Sequence, residues 1–192
     1  GDNPQMLKEA AKMAQDWGYD EINFNVGCPS PRVSSGNFGA SLMKEPTKVA
    51  KCIESLKNNC NLPVTIKHRI GVDEEDSFDN LNSFVQDVAK AGVDRFTVHA
   101  RKAILKKLNP KQNRTIPPLK YEVVQKLKKI NPKLTIEING GFSNIDQCIT
   151  ALKIFDGVMI GRSAYKHPII WSGIDQRIYG EDVKSKKASE II

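Results

Sequence analysis

A cysteine stands where an apolar run meets a turn, in the segment Ile22-Asn23-Phe24-Asn25-Val26-Gly27-Cys28-Pro29-Ser30. Gly27 permits unusual backbone angles and Pro29 blocks further strand pairing, so we expect the Cys28 thiol on a stiff turn. A thiol of ordinary acidity is protonated at neutral pH, so it can donate a proton as readily as a thiolate can attack. These residue types predict chemistry at Cys28. The other three cysteines fall on helical stripes and are expected to be small buried groups: Cys52, Cys60 and Cys148.

Basic residues and glycines follow the four other apolar runs. Lys67 with Arg69, and His99 with Arg101, form two pairs at run ends, and alternation along a strand sends both members of a pair to the same side. The alternative is that one member of each pair is a structural ion-pair partner outside the site. Glycines and one arginine end the last two runs, at Gly140-Gly141 and Gly161-Arg162. A Gly-Gly pair alone is usually only a turn, but two such sites favour a phosphate-bearing cofactor, since glycine lets backbone N–H groups approach a phosphate and arginine pairs with it.

Five apolar runs alternate with amphipathic stretches, which predicts parallel strands covered by helices. The runs are Ile22–Val26, Val64–Arg69, Arg95–Arg101, Leu134–Gly141 and Gly157–Arg162. The first helical stripe follows the capping sequence Asp2-Asn3-Pro4 and includes Leu7, Ala11 and Trp17. Polar strand ends of this kind build the site of a (β/α)8 barrel, but five strands do not close one. We therefore expect an α/β fold that is a partial (β/α)8 barrel, with an open α/β half-structure as the alternative.

The positive charge of the chain is unevenly distributed. The formal net charge is +7, and no acidic residue occurs from Arg95 to Tyr121 while lysines and arginines accumulate there. Such a run is typical of a surface that binds a phosphate backbone, although a solvated face is the alternative. No apolar run approaches the length of a membrane span and no signal peptide opens the chain, so we expect a cytoplasmic protein. The scattered cysteines predict no metal site.

Several motifs together resemble one enzyme family. They are Asn25–Ser30, Arg32-Val33, Gly36–Ala40, Lys67–Gly71, His99–Lys102, Asn113–Leu119, Asn139–Gly141 and Val158–Arg162. In this order they are similar to the tRNA-dihydrouridine synthases, specifically their bacterial A-type branch, from Gly1 to about Tyr179. The resemblance implies an FMN enzyme that reduces a D-loop uridine of tRNA with NADPH. It implies that residues 1–170 are the last five of eight barrel strands, and that 171–192 are a linker and the start of a C-terminal helical tRNA-binding domain.

The resemblance also implies roles for individual residues. Cys28 resembles the acid that protonates C5 of the uracil while hydride arrives at C6. FMN is expected to contact Lys67, His99, Asn139, Gly140, Gly141, Gly161 and Arg162. The tRNA is expected to contact Asn25, Arg101, Lys102 and Arg114, and the target base leaves its stack to reach the flavin.

Two other functions remain open from the sequence. One is a flavin oxidoreductase acting on a free pyrimidine, similar to the dihydroorotate dehydrogenases, although a small substrate does not require the basic stretch from Arg95 to Lys120. The other is a non-catalytic RNA-binding remnant, which predicts tRNA binding without a flavin spectrum. For the tRNA-dihydrouridine synthase that the resemblance implies, we expect a monomer.

Overall fold

A computed structural model describes residues 1–30, 38–182 and 189. The five strands are β1 Ile22–Val26, β2 Val64–Arg69, β3 Arg95–His99, β4 Ile136–Asn139 and β5 Gly157–Met159. They form one sheet in the order β1-β2-β3-β4-β5, and every neighbouring pair is parallel. The predicted parallel α/β sheet is confirmed.

Helices connect the strands. They are α1 Pro4–Asp16, α2 Pro46–Lys57, α3 Phe78–Lys90, α4 Tyr121–Ile130, α5 Ile145–Leu152 and α6 Arg162–Lys166. The predicted cap of α1 is confirmed, because the Asn3 side chain accepts hydrogen bonds from the backbone N–H groups of Gln5 and Met6. Across the described ranges, none of these helices has the length and apolarity that crossing a bilayer demands.

The two faces of the sheet differ in chemistry. Side chains that alternate outward, such as Val64, Ile66 and Phe96, are buried with the helices in one core. His68 also points outward, where its ring meets the rings of Phe84 and Phe96 edge-on and burial lowers its pKa to about 4. The alternate side chains, on the face of the sheet away from the helices, are polar. The strands are therefore not apolar throughout, as the strands of a sheet buried on both faces are.

At the amino ends of the strands, acidic side chains bind neighbouring strands and helices. Asp94 precedes β3, and its carboxylate accepts from the backbone N–H of Val64 at 2.7 Å and pairs with Lys57. Asp156 precedes β5 and repeats the arrangement, accepting from Ile136 at 2.7 Å and pairing with Lys128. Each acid thereby satisfies the first donor of the neighbouring strand.

A third ion-pair group closes the inward face at this end. Arg95 pairs with both Glu21 and Glu137, which lie on neighbouring segments. The Thr97 hydroxyl also donates to Glu137 at 2.7 Å. The charges at the amino ends of the strands are therefore neutralised within the fold.

Some predicted boundaries differ from the structure. The third, fourth and fifth strands are shorter at their carboxyl ends than the apolar runs, because the chain turns there; the Arg101 N–H, for example, donates back to the His99 carbonyl at 2.7 Å. Trp17, expected in the apolar face of α1, is 77% exposed because it caps the carboxyl end of the helix. The predicted helix start within 171–192 falls largely on 183–188 and 190–192, outside the described residues, so that domain boundary stays a prediction.

Candidate active site

A cavity of 480 Å³ lies at the carboxyl ends of the strands. The strand register brings its residues together: Asn25 lies opposite Lys67, Arg69 opposite His99, and His99 opposite Asn139. Eleven of the twelve predicted site residues line it, namely Asn25, Cys28, Lys67, His99, Arg101, Arg114, Asn139, Gly140, Gly141, Gly161 and Arg162. Their individual roles stay predictions, but the structure places them around one volume.

The twelfth predicted residue, Lys102, lies outside this cavity. Its ammonium pairs with the Asp76 carboxylate at 2.7 Å and donates to the Asp73 carbonyl at 3.1 Å. The pairing with Asp76 also raises the pKa of Lys102. The proposed tRNA contact of this residue competes with an ion pair inside the protein.

Asn25 builds the turn that presents Cys28. Its side-chain oxygen accepts from the backbone N–H of Gly27 at 2.9 Å and of Cys28 at 3.2 Å, as in an Asx turn. The Cys28 carbonyl in turn accepts from Ala40 at 2.9 Å. The sequence predicted Asn25 only as a substrate contact, whereas the structure gives its oxygen a local positioning role and leaves its amide group beside the cavity.

The cavity is rich in cations. Lys67, Arg69, Arg101, Arg114 and Arg162 line it, and none of the described lining residues is acidic. Several like charges in one partly buried volume repel one another and cost desolvation energy. Such a lining indicates an anionic ligand, which would relieve both costs.

The repulsion appears in the pKa values of two strand residues. Burial, followed by the charge of Arg69, lowers the pKa of Lys67 to about 8. Burial and the surrounding Arg69, Lys67, Arg101 and Arg162 lower the pKa of His99 to about 3. His99 is therefore neutral at physiological pH, while Lys67 exists in both protonation states near pH 8.

The predicted glycine turn after β4 fits backbone recognition of a phosphate. Gly140 has φ +116° and Gly141 has φ +81°, a region that side chains rarely adopt. A Cβ at Gly140 would lie 2.7 Å from the His99 ring, and one at Gly141 would lie 2.7 Å from Leu119. The Tyr121 hydroxyl donates to the Gly140 carbonyl and holds the turn from the other side. Only glycine fits both positions.

Two cavity arginines also bind backbone carbonyls. Arg69 is 3% exposed and donates to the carbonyls of Gly27, Lys102 and Asn113 at 2.9, 3.1 and 3.0 Å. Arg101 donates to the carbonyls of Thr115 and Pro117. The sequence predicted that both members of each basic pair point inward, and the structure places all four residues in the cavity lining. It did not predict that the arginines join loops, since no local pattern states which carbonyls lie within reach.

The long loop after β3 carries exposed cations. Lys106, Lys107, Lys111 and Arg114 are exposed and form no ion pair with any acidic residue that the structure describes. The motif parts Arg32-Val33 and Gly36-Asn37 lie outside the described residues. Within 1–30, 38–182 and 189, no group of three or more His, Cys, Asp or Glu side chains is arranged to hold a metal ion.

Solved structures share this fold at low sequence identity. Morphinone reductase matches with a TM-score of 0.64 at 12% identity, over 97% of this chain and 50% of its own. Dihydrodipicolinate synthase from Agrobacterium tumefaciens matches with a TM-score of 0.58 at 12% identity, over 95% of this chain and 56% of its own. Together with the five parallel strands, these likenesses confirm the predicted partial (β/α)8 barrel.

Similarity in sequence is much closer to one enzyme family. A tRNA-dihydrouridine(20/20a) synthase from a Synechocystis species is 54% identical over 192 residues, which are 100% of this chain and 58% of that protein. A protein of the same name from Vibrio cholerae is 49% identical over 193 residues, 100% of this chain and 59% of that protein. The chain thus spans less than two thirds of these relatives. A family model described as dihydrouridine synthase matches residues 1–192, and the chain therefore belongs to the dihydrouridine synthase family.

Proposed function

We propose that the protein containing this chain is a cytoplasmic, monomeric tRNA-dihydrouridine synthase that uses FMN and NADPH. The relatives' names specify positions 20 and 20a, so we propose the uridines at these positions of the D-loop as its substrates. The observation that carries the proposal is the cavity in which the Cys28 thiol faces several cations and no described acid. It combines a proton donor with a binding site for anionic groups.

The residues present fit FMN. The cavity volume lies within the usual range for small-molecule sites, about 300–1,000 Å³. Gly140 and Gly141 offer a turn without side chains beside the Arg162 guanidinium, which suits a phosphate. Lys67 and His99 lie deeper, at strand ends, where we propose that they contact the flavin ring. The chemistry that reduced FMN supplies when bound is hydride transfer, with NADPH as the source of the electrons.

Cys28 serves as the general acid in this proposal. The C5=C6 double bond of uracil gains hydride at C6, and the Cys28 thiol gives its proton to C5, leaving a thiolate and dihydrouridine. Lys67 lines the same cavity as Cys28 and interacts favourably with negative charge there. We expect its ammonium to stabilise negative charge on the sulfur until solvent returns a proton.

Arg114 and Asn25 orient the base. Arg114 reaches the cavity from the exposed basic loop, and the Asn25 amide flanks the thiol on the same strand end. Holding the uracil in place lowers the entropic cost of the hydride and proton transfers, because the reacting groups are already oriented. The exposed lysines of the loop, Lys106, Lys107 and Lys111, are suited to tRNA phosphates outside the cavity.

The test uses the full-length protein and tRNA that lacks dihydrouridine. We expect a flavin absorption spectrum and NADPH-dependent formation of dihydrouridine at positions 20 and 20a, measured by mass spectrometry of nuclease fragments. Binding of tRNA without a flavin spectrum would support the RNA-binding remnant. Reduction of free uracil or orotate at rates similar to tRNA would support the pyrimidine oxidoreductase.

A further inference from the structure

The Arg69 guanidinium joins two loops that carry different parts of the proposed chemistry. Its Nε donates to the carbonyl of Gly27, the residue before Cys28. Its Nη1 donates to the carbonyls of Lys102 and Asn113 on the long loop that carries Arg114. The turn that presents the thiol and the loop that presents the base contact are therefore held by one side chain.

Asn113 completes this connection from the other side. The residue is fully buried, and its side-chain oxygen accepts from the Ile104 N–H at 2.7 Å. Its amide donates to the carbonyls of Ile104 and Leu108 at 2.9 Å each, and to that of Asn109 at 3.3 Å. All of its side-chain groups are thus used to shape the loop between 104 and 113. Its carbonyl then fixes that loop to Arg69.

These contacts set Arg69 apart from the other cations of the cavity. Lys67, Arg114 and Arg162 also line the cavity, but no hydrogen bond to another described residue ties their charged groups to a loop. Arg69 instead donates hydrogen bonds to three carbonyls from two loops, and moving a buried arginine would break these bonds at a cost in free energy. Its hydrogen bonds connect the Cys28 turn to the loop that carries Arg114.

We propose that Arg69 and Asn113 are positioning residues that fix the distance between the Cys28 acid and the Arg114 base contact. The inference rests on the proposed function for its catalytic consequence, but the loop connection itself does not depend on that function. The two residues are coupled, because Arg69 binds the Asn113 carbonyl and the Asn113 side chain fixes where that carbonyl lies. We expect flavin binding to depend little on the connection, since the Tyr121 hydroxyl holds the glycine turn after β4 by donating to the Gly140 carbonyl.

The experiment compares Arg69→Lys, Asn113→Ala and the double variant in the full-length protein. Lysine keeps the charge in the cavity but lacks the fork that reaches both loops. We expect each single variant to accelerate amide hydrogen exchange in segment 102–116 by about tenfold or more. We expect the single-turnover rate at saturating tRNA to fall by about 10²-fold, as a displacement near 1 Å does. The double variant should be no slower than the slower single variant.

A matched control separates loop positioning from general loss of stability. Arg95→Lys also removes a bridging arginine, but at the amino ends of the strands, where Arg95 joins Glu21 and Glu137. It should lower Tm without changing exchange in 102–116 or the single-turnover rate. FMN affinity, measured by flavin fluorescence, should change less than about threefold in Arg69→Lys.

Two results would overturn the proposal. One is full rescue of the rate by Arg69→Lys, which would make Arg69 a charge contact. The other is unchanged exchange in 102–116 in both single variants, which would show that the loop is held elsewhere. A wild-type protein that forms no dihydrouridine would refute the proposed function instead, and the exchange measurements would then decide the loop connection alone.

Discussion

The two ends of the five-stranded sheet both carry charged residues, but they differ in how these charges are paired. At the amino ends, Arg95 lies between Glu21 and Glu137, and the acids before β3 and β5 pair with helix lysines. At the carboxyl ends, five cations line one cavity with no acid among the described lining residues. Paired charges contribute to the fold itself. Unpaired charges of one sign are held together against repulsion, which indicates a ligand of the opposite sign.

The thiol tests this comparison with the largest expected effect. Cys28→Ala should lower dihydrouridine formation by about 10²–10⁴-fold because the proton donor is lost. FMN binding and flavin reduction by NADPH should survive. The measurements are dihydrouridine content per tRNA and stopped-flow absorbance of the flavin. Cys60→Ala is the control, since Cys60 lies outside the cavity and its thiol donates to the Leu56 carbonyl. Near-normal turnover in Cys28→Ala would show that Cys28 is not the general acid.

Two arginine variants test the two ends of the sheet directly. Arg162→Ala should weaken FMN affinity by about 1–3 kcal/mol through loss of a charge-assisted contact, with little change in Tm. Arg95→Ala should lower Tm and leave FMN affinity nearly unchanged, because it leaves Glu21 and Glu137 without their partner. Flavin titration and thermal unfolding of the apoprotein give both quantities. Equal effects of the two variants on FMN affinity would show that the two ends of the sheet do not differ in their contribution to FMN binding.

The pH dependence of FMN binding tests the cation cluster. The pKa of Lys67 is lowered to about 8 in the unliganded cavity, and a bound anion raises it again. Binding then takes up protons, so FMN affinity should fall as pH rises through about 8, by at most about tenfold per pH unit. Titrations from about pH 6.5 to about pH 9.5, which cover both protonation states of Lys67, should show this slope. Lys67→Met should abolish it, and a wild-type affinity independent of pH would show that bound FMN leaves the protonation of Lys67 unchanged.

The smallest effect is expected from the exposed loop. Lys106→Ala with Lys107→Ala should weaken tRNA binding and lower the salt slope by somewhat less than about one unit per lost phosphate contact. The turnover rate at saturating tRNA should hardly change. Lys57→Ala with Lys90→Ala is the matched control, since these lysines pair with Asp94 and Asp87. If both pairs change the salt slope equally, the loop has no special role in tRNA binding.

The sequence predicted the strands and most of the site because both depend on local patterns. The Gly27-Cys28-Pro29 turn and the polar strand ends are visible in the order of the residues, and parallel pairing brings the carboxyl ends of strands together. Lys102, unlike Lys106, is bound by Asp73 and by Asp76, which lies 26 positions away. No local pattern contains such a partner.

The loop connections are the part that sequence patterns do not predict. Arg69 donates to Asn113, 44 positions away, and the choice of acceptor depends on how both loops fold. The same holds for Asn25, which the resemblance predicts as a contact to the flipped base and whose side-chain oxygen also caps its own turn. Polar side chains at strand ends have several partners within reach, and only the packed structure decides among them.

The way in which Asn113 closes its own loop has a consequence for which substitutions that loop tolerates. Its contacts with Ile104, Leu108 and Asn109 tie the two ends of this segment to each other. Compact loops with joined ends tolerate exchange of their tips. Leu105 in this segment packs against the small core cluster of Ala40, Val72 and Ala103, whereas Lys106 and Lys107 are exposed. We therefore expect substitutions at Lys106 and Lys107 to change the charge of this surface while the Cys28 turn and the glycine turn after β4 stay where they are.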